Sequence, residues 1–424
     1  MADSKKAYTK RQNVKTFILL LCSSFLLATN TVGALAGSER ANSCGSLRSM
    51  ARVYMACGAY EKAQPLLERA LRLASSTNAA DCEVCACLID LAYLCNNQGK
   101  LVEAETMCRS GLRLQEKVYH KDHPYVAYTL RILSEIHQGQ ARYQAAASAL
   151  ERAIEIMGRV NGANDQELAP FKADMARVLA AQGHFAEAES YFKEAMASID
   201  GGHGARRLYA AKVSTNLAEL YALQERYDQA EELIGRALPE QERVHGADHH
   251  FLVPAWLVMA RIHQARGKLA EAKMLLDRSL RVVENQPDCG RLVKGDVLTR
   301  LGQFYVSNEE YARAEDVLQR ALKVLDSSQA PHSDRVAVAC NSLAKVYINQ
   351  GKYSEARSLC RRAWNILEGI LEAGHPYMAD VQQTLIQLHR RTGEAVEVAR
   401  SEKRAEETRQ REQASFTPIA AATE

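Results

Sequence analysis

The sequence has little of what marks β-rich domains and little of the charge that marks nucleic-acid binders. Only 9 of its 424 residues are proline, and only 6% are aromatic. A β-sandwich or β-barrel needs more aromatic residues in its strands and more proline in its turns, so this composition favours an all-α fold. The formal net charge is +3, far below the basic excess of a protein that covers a nucleic-acid backbone. We therefore predict no nucleic-acid partner.

Motifs that carry catalysis or hold cofactors are also missing from the sequence. It contains no nucleophile elbow, no glycine-rich phosphate loop, no HExxH pair and no EF-hand spacing. Its carboxylates fall in Glu-Arg and Glu-Ala-Glu runs, which are typical of solvated helix faces. Six cysteines crowd residues 57–108 without a second spaced pair, so we interpret them as small buried residues rather than metal ligands. We predict no enzymatic activity, no cofactor and no metal site.

Residues 1–36 have the pattern of a secretory signal peptide. Five basic residues and one acidic residue precede an apolar run at 17–28, and small-residue ends follow at Val32–Ala34 and Ala34–Ala36. A membrane-spanning helix needs roughly 20 apolar residues, so the run is short for an anchor. We predict export to the periplasm or the cell exterior, with an uncleaved membrane anchor or a disordered tail as alternatives. Cleavage would remove five positive charges and one negative charge, leaving a net charge of −1.

A 42-residue period organises the rest of the chain. A small residue recurs in the first half of each copy at Ala92, Ser134, Ala176, Ala218, Ala260, Gly302 and Ala344. A turn residue follows seven positions later, at Gly99, Ala141, Gly183, Glu225, Gly267, Glu309, Gly351 and Gly393. A second small residue falls at Ala104, Ala146, Ala188, Ala230, Ala272, Ala314 and Ala356. Apolar residues recur at three- and four-residue spacing on both sides of the turn, so each copy predicts an antiparallel helix hairpin.

The hairpins are expected to stack, because a single hairpin cannot bury its apolar face. We predict about nine of them over residues 44–408, followed by a disordered tail at 409–424. The recurring small and aromatic positions resemble those of the tetratricopeptide repeat family over essentially the whole chain after residue 44. That resemblance implies an all-α, right-handed α-solenoid.

The long period is similar to the kinesin-light-chain type of tetratricopeptide repeat rather than to the 34-residue standard. Residues 116–127 and 371–379 carry this resemblance through their His-Pro pairs, and 242–251 is a degraded copy. In that type the His-Pro pair starts the next hairpin, with proline in the first helical turn. Four other repeats of this chain lack the pair.

Histidines recur at 126-residue intervals, which is three repeats. His123, His249 and His375 form one such set. Stacked helices lie about 8–10 Å apart, so side chains three repeats apart cannot share one metal ion. We interpret these histidines as loop and helix-end residues, and their regularity indicates an older duplication of three repeats.

The resemblance also implies a binding surface lined by the first helix of every repeat. The lining positions include Arg48, Arg52, Arg131, Arg177, Arg261, Asn341 and Lys345. Arginine binds carboxylates in bidentate fashion, so an acidic peptide or a C-terminal carboxylate is the predicted ligand. Glu135 and Glu219 alternate with the arginines, and pairing with them is the alternative.

We therefore predict a non-enzymatic scaffold that binds a protein or peptide. One alternative is a membrane-anchored structural component of a larger complex. Another is a cytosolic cargo adaptor similar to kinesin light chain, for which a coiled coil is expected ahead of the repeats.

Cys340 and Cys360 lie at similar distances on either side of one turn. An antiparallel hairpin brings such positions face to face, so a disulfide is predicted if the protein is exported. Two packed thiols are the alternative.

Overall fold

A computed structural model describes residues 43–56, 58–76, 81–161, 166–199, 205–285, 290–327, 333–371, 375–400 and 402–403. These residues are largely helical and contain no strand, which confirms the all-α prediction. Both the predicted signal peptide at 1–36 and the predicted tail at 409–424 lie outside the described residues. Within the described ranges, no helix combines the length and the apolar character that crossing a bilayer requires.

The helices follow one another as consecutive packed hairpins. The first four pairs are α1 Cys44–Ala56 with α2 Tyr60–Ser76, α3 Asp81–Asn97 with α4 Leu101–Tyr119, α5 Pro124–Gly139 with α6 Tyr143–Asn161, and α7 Ala169–Gln182 with α8 Phe185–Ile199. The next four are α9 Ala205–Leu223 with α10 Tyr227–His245, α11 Val253–Ala265 with α12 Leu269–Asn285, α13 Arg291–Ser307 with α14 Tyr311–Asp326, and α15 Asp334–Asn349 with α16 Tyr353–Glu368. A ninth pair begins with α17 Pro376–Thr392, after which residues 395–400 are again helical.

The same turn closes every pair. From Gly99 onward it falls at the residue that the 42-residue period predicts, and Gly58 lies 41 residues before Gly99. Its backbone is left-handed, with φ between 58° and 96°, at Gly58, Gly99, Ala141, Gly183, Glu225, Gly267, Glu309, Gly351 and Gly393. The next residue donates its N–H to the carbonyl five positions earlier, as Lys100 does to Cys95 at 2.8 Å and Lys352 to Tyr347 at 2.9 Å. This hydrogen bond and the left-handed residue define a Schellman motif, which ends the first helix of each pair.

Glu309→Gly is expected to stabilise the protein by about 1 kcal/mol, because a side chain at positive φ costs free energy that glycine avoids. Urea unfolding followed by circular dichroism measures the change. Glu309→Ala is the control: it removes the same carboxylate but keeps a Cβ, and we expect no gain. An equal gain in both variants would show that charge, not backbone strain, is responsible.

Small side chains occupy the contacts between paired helices, as the repeat pattern predicts. Ala92 and Ala104 are fully buried, at 0% exposure. A Cβ added to Gly302 would lie 2.4 Å from Cγ of Leu318, and one added to Gly295 would lie 2.3 Å from Cδ2 of Leu325. These distances are below van der Waals contact, so α13 and α14 approach as closely as they do only because α13 carries glycine there.

The described residues fall into two compact units. The first takes those within 1–137, 144–177 and 186–290, and the second takes those within 138–143, 178–185 and 291–424. In the first unit one apolar cluster joins three successive helices, with Ala51 on α1, Leu67 on α2 and Leu94 on α3. In the second, Ile348, Ala356 and Leu388 join α15, α16 and α17 in the same way. Neighbouring hairpins thus share a continuous core, as a repeat protein requires.

Inside each unit, a turn also contacts the start of a helix that lies several repeats further along the chain. In the first unit, a Cβ on Gly58 would lie 2.6 Å from Cε1 of His250. In the second, a Cβ on Gly183 would lie 3.4 Å from Cδ2 of His375, and the ring of Phe185 is centred 6.1 Å from the same imidazole. Hairpins distant in sequence are therefore packed together within a unit.

Candidate binding surface

The predicted cationic residues of α1 are held by one aspartate of the next hairpin. Nε of Arg48 lies 2.7 Å from Oδ2 of Asp90, and Nη2 of Arg52 lies 2.8 Å from Oδ1 of the same residue. Asp90 is 7% exposed, so water screens these contacts only weakly. Two guanidinium groups therefore converge on one carboxylate between α1 and α3.

The same arrangement recurs two repeats later in the first unit. Nε of Arg131 on α5 lies 3.0 Å from Oδ2 of Asp174 on α7, and Nη1 of Arg177 lies 3.1 Å from Oδ1 of that aspartate. Glu135 is near, with its Oε1 3.7 Å from Nη2 of Arg131. Two guanidinium groups and two carboxylates face one another here.

In the second unit, α15 is joined to the first helices on both sides. Nδ2 of Asn341 donates to Oδ2 of Asp380 at 2.7 Å, and Nζ of Lys345 donates to Oδ1 at 2.6 Å. Toward α13, Nε of Arg335 donates to the carboxylate of Asp296 at 2.9 and 3.0 Å. These contacts fix α15 between α13 and α17.

The predicted lining residues thus fall into three clusters, and Arg261 on α11 is likewise engaged by neighbouring groups. Pairing with Glu135 and Glu219 was the alternative prediction, and Glu135 does contact Arg131. The closest carboxylates in the three clusters are Asp90, Asp174 and Asp380. Asp90 lies one period after Arg48, and Asp174 lies one period and one position after Arg131. For Asp90 and Asp174 the repeat period was the signal that could have found them, since it places such residues side by side on neighbouring first helices. Asp380 lies 39 residues after Asn341 and 35 after Lys345, so the period does not predict it.

Two polar atoms of the second unit are buried on this surface without a hydrogen-bond partner among the described residues. They are Oγ1 of Thr299 on α13 and Oδ1 of Asn341 on α15. Thr299 is 6% exposed and Asn341 2% exposed. A buried polar atom without a partner costs about 1–3 kcal/mol of stability.

Cys340 and Cys360 are both buried, and both are free thiols in the structure. Burial raises the pKa of Cys340 to about 11 and that of Cys360 to about 12, and the nearness of Cys340 adds to the shift at Cys360. The predicted disulfide between them remains a prediction.

The three histidines that lie three repeats apart stand before helical segments. His123 and His375 precede α5 and α17, and His249 precedes a 3-10 turn at His250–Leu252 that leads into α11. Nδ1 of His123 accepts the N–H of Tyr125 at 3.1 Å, Nδ1 of His249 that of Phe251 at 3.2 Å, and Nδ1 of His375 that of Tyr377 at 3.2 Å. Each ring therefore caps one of the free N–H groups at a helix start. Proline follows the first and third histidines as the first residue of α5 and α17. The described residues contain no group of three or more His, Cys, Asp or Glu side chains placed to hold a metal ion.

The cap formed by His375 makes stability depend on pH. Burial lowers the pKa of His375 to about 4, against the opposing effects of Asp334 and the carbonyl of Ala180. Below about pH 6.5 the unfolded chain therefore binds a proton at His375, whereas the folded chain binds it only near pH 4.

We expect the free energy of unfolding to fall by about 2 kcal/mol between about pH 7 and about pH 5 through His375. His375→Asn keeps a capping side chain that does not titrate and should remove that part of the pH dependence. Urea midpoints at the two pH values measure it. His120→Asn, at an exposed position, is the control and should leave the slope unchanged. If stability fell as steeply with pH in His375→Asn as in the wild-type chain, His375 would not be the cause of the pH dependence.

Paired helices with a common turn, and polar side chains joined across successive first helices, define the chain as a helical repeat protein. A tetratricopeptide repeat model matches residues 83–159, 168–240, 209–284 and 252–327. Two further models of the same description match 336–377 and 46–79. The chain belongs to the tetratricopeptide repeat family.

Solved structures of other repeat proteins resemble the chain. BtubC (BKLC) from P. vanneervenii is 24% identical, with a TM-score of 0.41 over 54% of this chain and 91% of its own. A putative kinesin light chain from Podosopora anserina is 21% identical, with a TM-score of 0.36 over 47% of this chain and 95% of its own. A Rap protein complexed with competence and sporulation factor is 13% identical, with a TM-score of 0.51 over 78% of this chain and 98% of its own. The last likeness concerns the fold alone. None of the curated proteins matches the sequence.

Proposed function

We propose that the chain is a non-enzymatic scaffold that binds an extended segment of a protein or peptide across α13, α15 and α17. The observation that carries this proposal is the pair of buried, unpartnered oxygens on Thr299 and Asn341. Both atoms are buried, so the two side chains must turn toward the ligand. Oδ1 of Asn341 would then accept a backbone N–H, and the hydroxyl of Thr299 would donate to a backbone carbonyl. An extended peptide offers both groups at every residue except proline.

We propose a separate contact for acidic ligands in the first unit, where Arg48 and Arg52 converge at Asp90. Each guanidinium binds carboxylates through planar N–H donors, and this pair already converges on one carboxylate. A ligand carboxylate, including a C-terminal one, would be received by the same two groups. Acidic peptides with a free C-terminus should bind more tightly than their amidated or lysine-containing counterparts. Equal binding of all three would contradict the preference.

Thr299→Val is expected to weaken peptide binding about tenfold without lowering stability, since it removes a buried hydroxyl that has no hydrogen-bond partner among the described residues. Peptides selected from a displayed random library on the wild-type chain would be titrated by fluorescence anisotropy. Asn341→Ala should weaken the same peptides. Thr106→Val, on an exposed face of α4, is the matched control. Selected peptides that bind all four proteins alike would place the site elsewhere.

We also propose that the protein is exported and that its repeats are of the kinesin-light-chain type. Pro124 and Pro376 at the starts of α5 and α17 support the repeat type. The intact mass of the protein from its own host tests export, with an expected loss of residues 1–34 or 1–36. A full-length mass would contradict export by cleavage and favour the membrane-anchored alternative.

A further inference from the structure

Two thiols meet between the first and second hairpins. Sγ of Cys44, at the start of α1, lies 3.4 Å from Sγ of Cys87, in the middle of α3. Both belong to one apolar cluster with Leu47, Ala70 and Ala74. The two cysteines are one repeat and one position apart in sequence, so the stacking of successive first helices brings them together.

The separation is close to what a covalent bond requires. A disulfide has its sulfur atoms about 2.05 Å apart, so these two must approach by about 1.4 Å. Rotations about χ1 of the two side chains are the movement that this approach requires. We propose that Cys44 and Cys87 form a disulfide that joins α1 to α3. This inference does not depend on the proposed peptide binding.

A small-molecule disulfide such as oxidised glutathione is the oxidant the reaction needs. Cys44 is 9% exposed and Cys87 is 0% exposed, so the thiolate of Cys44 attacks first. It forms a mixed disulfide and releases one glutathione thiolate. The thiolate of Cys87 then attacks Sγ of Cys44, breaks the mixed disulfide and releases the second glutathione. In total the two cysteines give up two electrons and two protons, and one glutathione disulfide becomes two glutathione molecules.

The disulfide would lie at the contact between α1 and α3, where Arg48 and Arg52 meet Asp90. Cys44, Arg48 and Arg52 follow one another at four-residue spacing along one face of α1. They face Cys87 and Asp90, which are three positions apart on α3. Oxidation would therefore join α1 and α3 covalently at the contact where the ion pairs of Asp90 already connect them. Arg48 also favours the thiolate of Cys87, while burial raises the pKa of both thiols, so exchange should be slow at neutral pH.

Disulfide mapping of the full-length protein tests the proposal. The folded protein would be equilibrated with mixtures of oxidised and reduced glutathione, blocked with N-ethylmaleimide, digested and analysed by mass spectrometry. We expect a linked pair of peptides, one containing Cys44 and one containing Cys87, lighter by two hydrogens than their sum. Cys44→Ala and Cys87→Ala should each lose the link. Cys85→Ala, two positions away on the same helix, is the matched control and should keep it.

Thermal unfolding gives a second measurement that requires no peptide assignment. The oxidised wild-type protein should melt several degrees above the reduced one, because the bond restricts the unfolded chain. Cys44→Ala and Cys87→Ala should show no such difference. The proposal is wrong if no link appears at the highest proportion of oxidised glutathione. It is also wrong if a link from Cys44 persists in Cys87→Ala, since Cys82 or Cys85 would then be the partner.

Discussion

Asp90→Ala should destabilise the protein by about 3 kcal/mol, because removal of one partner leaves partly buried charges without compensation. Asp90 is 7% exposed, and its carboxylate receives both Arg48 and Arg52. Without it, the two guanidinium groups lose the carboxylate that they share between α1 and α3. Urea unfolding followed by circular dichroism gives the free energy.

An exposed ion pair of similar length is the control for Asp90. Oδ1 of Asp228 lies 2.6 Å from Nη2 of Arg266, but the Asp228 side chain is 99% exposed. Asp228→Ala should therefore cost no more than about 0.5 kcal/mol. Equal losses in the two variants would show that burial does not decide the contribution of Asp90. A triple variant with Asp90→Leu, Arg48→Met and Arg52→Met should recover most of the loss, since apolar side chains can replace a buried ion pair.

Gly58→Ala is expected to cost about 3 kcal/mol, from two sources. The φ of Gly58 is 74°, where a Cβ costs roughly 1–2 kcal/mol. That Cβ would also lie 2.6 Å from Cε1 of His250, so the buried imidazole must move and lose packing. The thermal midpoint and the urea midpoint should both fall.

Gly351→Ala separates the two sources of strain. Its φ is 76°, but a Cβ there would have no atom within 4 Å. It should cost about 1 kcal/mol from the backbone alone. The difference between the variants measures the contact with His250. Equal costs would mean that this contact contributes nothing, and His250→Ala should then fail to rescue Gly58→Ala.

The helices and their turns were predictable because the physics that forms them is local. A left-handed turn residue, a small residue seven positions earlier and apolar spacing on both sides recur once in every period, and from Gly99 onward the structure places each turn at that period. Ala141, Glu225 and Glu309 keep the left-handed turn without glycine. The period therefore predicted these turns better than the residue type did.

The partners on the candidate surface were harder to predict, because they depend on which side chains of neighbouring repeats meet. The lining positions themselves contain Glu135 and Glu219, and Glu135 does contact Arg131. The closer partners, such as Asp90 and Asp380, lie beside those positions and reach across to the adjacent helix. A charged side chain spans several positions, so a single-position pattern misses it.

For the cysteines too, a contact inside a hairpin was easier to predict from the sequence than a contact between hairpins. Cys340 and Cys360 were matched across their own turn, where antiparallel geometry is simple. Cys44 and Cys87 instead meet across two hairpins. A comparison of residues about one period apart would have identified them.

The capping histidines have a consequence for how such a chain can change length. His123, His249 and His375 cap the starts of helical segments through the same hydrogen bond, and each lies three repeats before the next. A genetic exchange between the codons of two of these histidines would delete or add three whole hairpins. The new junction would keep a histidine before a helix start and would interrupt no helix. His123, His249 and His375 therefore mark positions at which recombination would add or remove hairpins without cutting a helix.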